Sequence, residues 1–263
     1  MTGLDVETEV DRQLAEILER IKNIPKGKKV YEGPEGICFA RDHLYWYDSD
    51  FNPIDPPERI KGTINLNFVD SITSLEGSPR VVGGEFDCSH ANITSLEGGP
   101  EEVESFFDCS YTEITSLEGA PRKVGGSFLC SNIDITSLEG GPEEVGLSFW
   151  CHNTNITSLK GAPKNVEKNF DCTNTKITSL EGCPEEVGGN FFCSRTSITS
   201  LEGCPKKVGE SFWCLGTKIT SLKGAPVKIG NMKYSQFPNS ISKQQLVAYK
   251  NWLKTNPTEN YPG

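Results

Sequence analysis

The sequence predicts a β-solenoid, a single-sheet parallel stack of about eight 21-residue coils closed by a cap at each end. Three observations predict it. "ITSL" occurs eight times, ending at Leu75, Leu96, Leu117, Leu138, Leu159, Leu180, Leu201 and Leu222, always 21 residues apart. Phenylalanine keeps the same beat from Phe86 to Phe212, and cysteine from Cys88 to Cys214. A further column runs from Val103 through Val208 to Ile229. A coil of this length cannot bury its own apolar face, so stacked neighbours must supply the core.

Residues 1–60 do not repeat and read as the N-terminal cap that shields the first coil. Val6, Val10, Leu14, Ile17, Leu18 and Ile21 have the spacing of an amphipathic helix ending at Pro25. "GICFARDHLYWYDSDF" reads as a β-hairpin turning at Arg41–His43.

The repeats occupy 61–235, beginning with a degenerate coil that carries one extra residue. One unit reads V-x-x-x-F-x-C-x-x-x-x-I-T-S-L-E-G-x-P-x-x. F-x-C alternates as a short strand with Phe and Cys on one face. Ile and Leu anchor the following bend, and "EGxP" favours a tight turn. Residues 236–263 hold the second cap, where Ser242 and Gln245 form a capping box opening a helix through Leu253. Leu246, Tyr249 and Leu253 are placed to close the last coil, and "TNPTENYPG" reads as a mobile tail.

The motif F-x-C-x-x-x-x-I-x-x-L resembles the leucine-rich repeat L-x-L-x-x-N-x-L-x-x-L, with Phe and Cys at strand-leucine positions. The Pro and the short period are similar to the bacterial short-repeat class, whose convex side is extended. "SLEGxPxxVxGxFxC" arrays also resemble uncharacterised repeat proteins of tailed bacteriophages. The resemblance covers about residues 60–235. It departs from the family in the cysteine column and in Thr112, Thr154, Thr175, Thr196 and Thr217, which stand where Asn is expected. A threonine hydroxyl is expected to bond backbone amides inside the bend.

A formal charge of −10 argues against a general nucleic-acid binder. Net charge is −5 over 1–60, −10 over 61–222 and +5 over 223–263. No stretch reaches membrane-span length, and "MTGLDVETEV" lacks a signal-peptide layout. The expectation is a cytoplasmic protein whose ten cysteines are free thiols.

With Phe and Cys inward, the residue between them faces out. That column reads Asp87, Asp108, Leu129, Trp150, Asp171, Phe192, Trp213, and unlike the inward columns it varies. Flanking positions add Phe106 and, beyond the strand, His90, Tyr111, Asn132, Asn153, Asn174 and Arg195. Exposed aromatics on a sheet face suit a partner-binding surface, centred on Trp150, Phe192 and Trp213 with Asp87 and Asp108 at one end. The structural alternative is that these rings pack on one another or under the cap.

After each Pro, charge alternates in sign from Glu101-Glu102 and Arg122-Lys123 to Glu185-Glu186 and Lys206-Lys207, which suits specification of register. The column Glu76, Glu97, Glu118, Glu139, Lys160, Glu181, Glu202, Lys223 reads as a solvated edge. One thiol per coil inside an apolar core reads as packing, since zinc sites need converging pairs. Cys183 and Cys204 fill a small-residue turn slot within possible disulfide reach of each other. His43, His90 and His152 belong to no catalytic signature, so no catalytic residue, metal or cofactor is expected.

The function expected from these residues is non-enzymatic recognition of a protein partner along the strand face. The phage resemblance implies a host-directed role in the bacterial cytoplasm, such as blocking a defence or regulatory protein. Small-molecule capture, with rings stacked on a nucleobase, and a structural virion role are the alternatives.

Overall fold

Stacking at 21 residues sets identical side chains above one another, and the core is built from these ladders. A computed structural model describes residues 27–255 apart from 234, together with 261–262. The phenylalanines that recur every 21 residues from Phe86 to Phe212 are fully buried. Their rings stack 5.4–5.6 Å apart in one continuous column. The cysteine, isoleucine and leucine columns line the same interior, so the inward assignment of Phe, Cys, Ile and Leu is borne out.

Each coil carries two short strands rather than the one expected. Phe and the residue after it belong to an eight-stranded parallel sheet running from Ile64–Asn65 to Phe212–Trp213. The valine column and the residue before it form a second, nine-stranded parallel sheet from Arg59–Ile60 to Lys228–Ile229. The single-sheet expectation is therefore corrected. In-register stacking brings every extended run against its own copy, and a backbone so enclosed must be hydrogen-bonded. The Phe107 and Cys109 amides donate forward to Ser127 and Leu129, each at 2.9 Å. On the valine side Gly125 donates backward to Val103 at 2.9 Å.

The third side of the coil holds its bends. At the "EGxP" turn the glycines have positive φ, +85° at Gly119, where an added Cβ would lie 2.6 Å from the backbone of Leu96 and Glu97. Only glycine fits there. The serine of "ITSL" accepts the amide two residues on, as Ser116 does from Glu118 at 3.1 Å. The threonines behave differently from expectation. Thr112, Thr154, Thr175, Thr196 and Thr217 donate their hydroxyls to the carbonyl three residues back, at 2.7–2.8 Å. A hydroxyl can donate, so the bend is closed by a carbonyl contact instead of a bonded amide.

The predicted hairpin is present within a four-stranded antiparallel cap sheet ordered β1 (Lys28–Gly33), β2 (Gly36–Ala40), β3 (Leu44–Tyr47), β4 (Pro53–Ile54). It turns at Arg41–His43, where the Arg41 amide meets the His43 carbonyl at 3.0 Å. The Trp46 indole donates to Gly77 at 2.8 Å and ties the cap to the first turn. The helix expected over Val6–Ile21 lies outside the described residues. At the other end, α1 (Lys243–Leu253) has the predicted Ser242–Gln245 capping box. Tyr249 is fully buried and donates to Pro226 at 2.7 Å. Most of the tail read as mobile lies outside the described residues, but Tyr261 packs on Tyr249 and Trp252, and its carbonyl accepts the Gly224 amide at 2.7 Å. Aromatic packing at the open coil end holds Tyr261. No helix among the described residues is long and apolar enough to cross a membrane.

Candidate partner-binding face

The outer face of the phenylalanine sheet is built by strand alternation, which turns the residue between Phe and Cys away from the core. Asp87, Asp108, Leu129, Trp150, Asp171, Phe192 and Trp213 stand in register along it, each beside its copy on the next strand. Trp150 is the most open, 37% exposed, and the others are half-buried. Phe192 and Trp213 pack on each other with centroids 5.8 Å apart. The Trp213 indole N–H is buried with no hydrogen-bond partner among the described residues. Those two rings satisfy the mutual-packing alternative, whereas Trp150 keeps its face open, with Leu129 and Asp171 beside it.

Beyond each strand the chain bends through a left-handed residue. His90, Tyr111, Asn132, Asn153, Asn174 and Arg195 all have φ near +55 to +59°. Asn tolerates this conformation, and bulkier side chains do so at a cost. The column opens with a residue not singled out from the sequence, Phe68, also left-handed and 65% exposed. Phe68, His90 and Tyr111 stack face to face with centroids 4.4 Å apart. The extra residue in the first coil hides Phe68 from a strict 21-residue count. Aligning that coil with its insertion would have found it. Asn132, Asn153 and Asn174 continue the column as an amide ladder at 3.0 and 2.8 Å. Arg195 follows them.

The aspartates also hold the bend, which is their structural role. Asp87, Asp108 and Asp171 accept the amide two residues on, at 3.0, 2.8 and 2.8 Å. Burial, reinforced by Asp87 across the strand, raises the Asp108 carboxyl above its ordinary value despite the Ser110 bond. Asp108 borders two hollows. One, of about 270 Å³, is lined by Phe106, Asp108, Ser127, Leu129 and Trp150. The other, of about 390 Å³, lies between the strand column and the Phe68–His90–Tyr111 stack.

His152 has neighbours that sequence spacing did not reveal. Its Nδ1 lies 3.0 Å from the Ser131 hydroxyl and 3.6 Å from the Asp171 carboxylate. Coil stacking brings residues 21 and 19 apart in the chain together, which no local motif signals. A Ser–His–Asp relay uses both ring nitrogens, and here both contacts fall on one. Ser131 is also buried. The group is a polar clamp beside Trp150.

A groove of about 890 Å³ lies on the valine side among the alternating charges. There the charges satisfy each other: Arg122 meets Glu143 and Lys123 meets Glu144 across coils, each at 3.2 Å. Lys160 pairs with Glu139 at 2.9 Å and holds that carboxyl below its ordinary value. These exposed pairs fit a register device. Burial pushes the column thiols well up, as at Cys151 and Cys193, which disfavours the thiolate needed for metal binding or attack. The thiols of Cys88, Cys109, Cys130, Cys151 and Cys172 donate to the next strand's carbonyl, from Cys88 to Asp108 at 3.2 Å, so cysteine adds a weak bond to the ladder. Cys183 and Cys204 are free thiols.

Comparison of the chain with protein families, with curated proteins and with solved structures finds no match in any of the three.

Proposed function

We propose that this chain is a non-enzymatic scaffold that binds a protein partner through the outer face of its phenylalanine sheet. The observation that carries the reading is the contrast between columns. Inward positions repeat one residue type, whereas the outward column and its left-handed flank place Trp150, Tyr111 and Phe68 in the open, with Leu129 half-buried beside them. Stability does not ask for exposed aromatic rings on left-handed backbone. The leucine-rich-repeat kinship and a phage-encoded role against a bacterial host protein, exercised in the host cytoplasm, belong to this proposal. They rest on the motif resemblance.

The test is capture of a partner by wild type, by a Tyr111→Ala/Trp150→Ala variant and by Glu143→Ala on the valine side. The reading expects loss of the partner with the first variant and retention with the second. Equal capture by all three, with melting temperatures showing intact folds, would sink it. A second reading, capture of a small ligand such as a nucleotide, is favoured by the hollow of about 390 Å³ beside the stacked rings. A rise in melting temperature with nucleotide would support that reading.

A further inference from the structure

We infer that the occupant of the outer face is a basic segment of the partner protein, which seats an arginine or lysine on Asp87 and Asp108 beside an apolar residue on Trp150. The inference rests on the protein-binding reading above and specifies its chemistry.

The first argument is how the chain treats its carboxylates elsewhere. On the valine side carboxylates face cations on the next coil, Glu143 with Arg122 and Glu186 with Lys207. On the turn edge Glu202 pairs with Lys223, although Glu76, Glu97 and Glu118 follow one another there. Asp87 and Asp108 differ from the valine-side pattern. They are in-register neighbours on adjacent strands, and the Asp87 charge adds to the burial that holds the Asp108 carboxyl above its ordinary value. Among the described residues no lysine or arginine reaches ion-pair distance of either. The His90 ring that acts on Asp108 is itself sandwiched between Phe68 and Tyr111. Arg195, the one basic residue of the left-handed column, stands towards the other end of the face. Neighbouring carboxylates flanked by aromatic rings, with no lysine or arginine beside them among the described residues, complement positive charge.

The second argument is what surrounds the carboxylates. Phe106 and Trp150 flank Asp108 in one hollow, and Tyr111 flanks it in the other. A cation over an aromatic face gains attraction, and one beside a half-buried carboxylate is screened less than at an open surface. Arginine suits this setting, because its planar head can stack and pair together. An uncharged ligand would leave the repulsion between Asp87 and Asp108 unrelieved.

Spacing then constrains the segment. Asp108 and Trp150 are separated by Leu129, hence by two strand spacings, roughly 10 Å. About three residues of extended chain cover that distance. The segment should therefore carry its basic residue about three positions from its apolar anchor.

The experiment is selection of binders from a displayed library of random peptides panned on the full chain. The selected sequences should be basic, with Arg or Lys about three positions from an aromatic or aliphatic residue. Affinity of a selected peptide should fall about tenfold or more in Asp87→Asn/Asp108→Asn, fall again between about 50 and 300 mM salt, and persist in Glu143→Gln. Asn keeps the side-chain oxygen that holds each bend, so the double variant should fold, as its melting temperature will show. Binders that depend on Trp150 but not on Asp87 and Asp108 would overturn the basic segment and leave the face intact. Binders indifferent to Trp150, Tyr111 and both aspartates would overturn the face as well.

Discussion

Tyr111 adopts a left-handed backbone, φ +59°, that a bulky side chain holds at a cost of roughly 1–2 kcal/mol. Its ring returns part of that by stacking on His90, about 0.5–1.5 kcal/mol by the usual worth of such pairs. Tyr111→Gly relieves the first and forfeits the second. It should leave the melting temperature within a few degrees of wild type while weakening partner capture, as calorimetry and pull-down together would show. Asp108 supplies a second residue-scale prediction. Its folded-state carboxyl titrates above the ordinary value, so the native state holds the proton more tightly than the unfolded chain. The stability this contributes is fully present below the ordinary carboxylate pKa and is lost as pH rises through the raised folded value. Denaturation measured from mildly acidic to neutral pH should show a decline with rising pH that Asp108→Asn reduces. An unchanged slope in the variant would refute the assignment.

Within one coil, the ladders carry the energy. Phe149 stacks at 5.5 Å on Phe128 and on Phe170, with no exposed surface. Phe149→Ala should cost about 3–5 kcal/mol in chemical denaturation, while Trp150→Ala next to it should cost far less. Gly119→Ala should destabilise by more than about 1 kcal/mol, since both its φ and its neighbours' backbone oppose a Cβ. Periodicity made this level legible. The Phe, Cys, Ile and Leu columns never change because they are buried, and the turn glycine, mostly exposed, never changes because its backbone is left-handed. The second strand was hidden because a two-residue run such as Lys123–Val124 is too short to show alternation. Only the neighbouring coil turns it into a strand. The aromatic column at Phe68 and the meeting of His152 with Ser131 and Asp171 were hidden for a related reason. Both arise between coils, one across an insertion and the other across a diagonal. Of the candidate face, the outward column was readable from strand alternation, whereas the openness of Trp150 against the mutual packing of Phe192 and Trp213 was not.

At the scale of the whole molecule, the solenoid approximates a sum of coils and coil–coil contacts, and its charge alternation gives that sum a period of two coils. Deleting residues 107–127 would set Glu101-Glu102 against Glu143-Glu144. Deleting 107–148 would instead set them against Lys164-Asn165 and preserve the alternation. The single-coil deletion should therefore gain melting temperature as salt is added, because screening relieves like charge, and the double deletion should not. Equal salt responses would show that the alternation does not set register. The same neutralisation leaves the valine side with little to offer a partner, and the proposed function puts the partner on the outer phenylalanine-sheet face. Site-specific photo-crosslinking in cells tests that claim most directly, with the photoreactive residue placed in turn at Tyr111, Trp150 and Glu143. The account predicts the same discrete protein adduct from Tyr111 and Trp150 and none from Glu143. An adduct formed only from Glu143, or no adduct from either aromatic position, would contradict it.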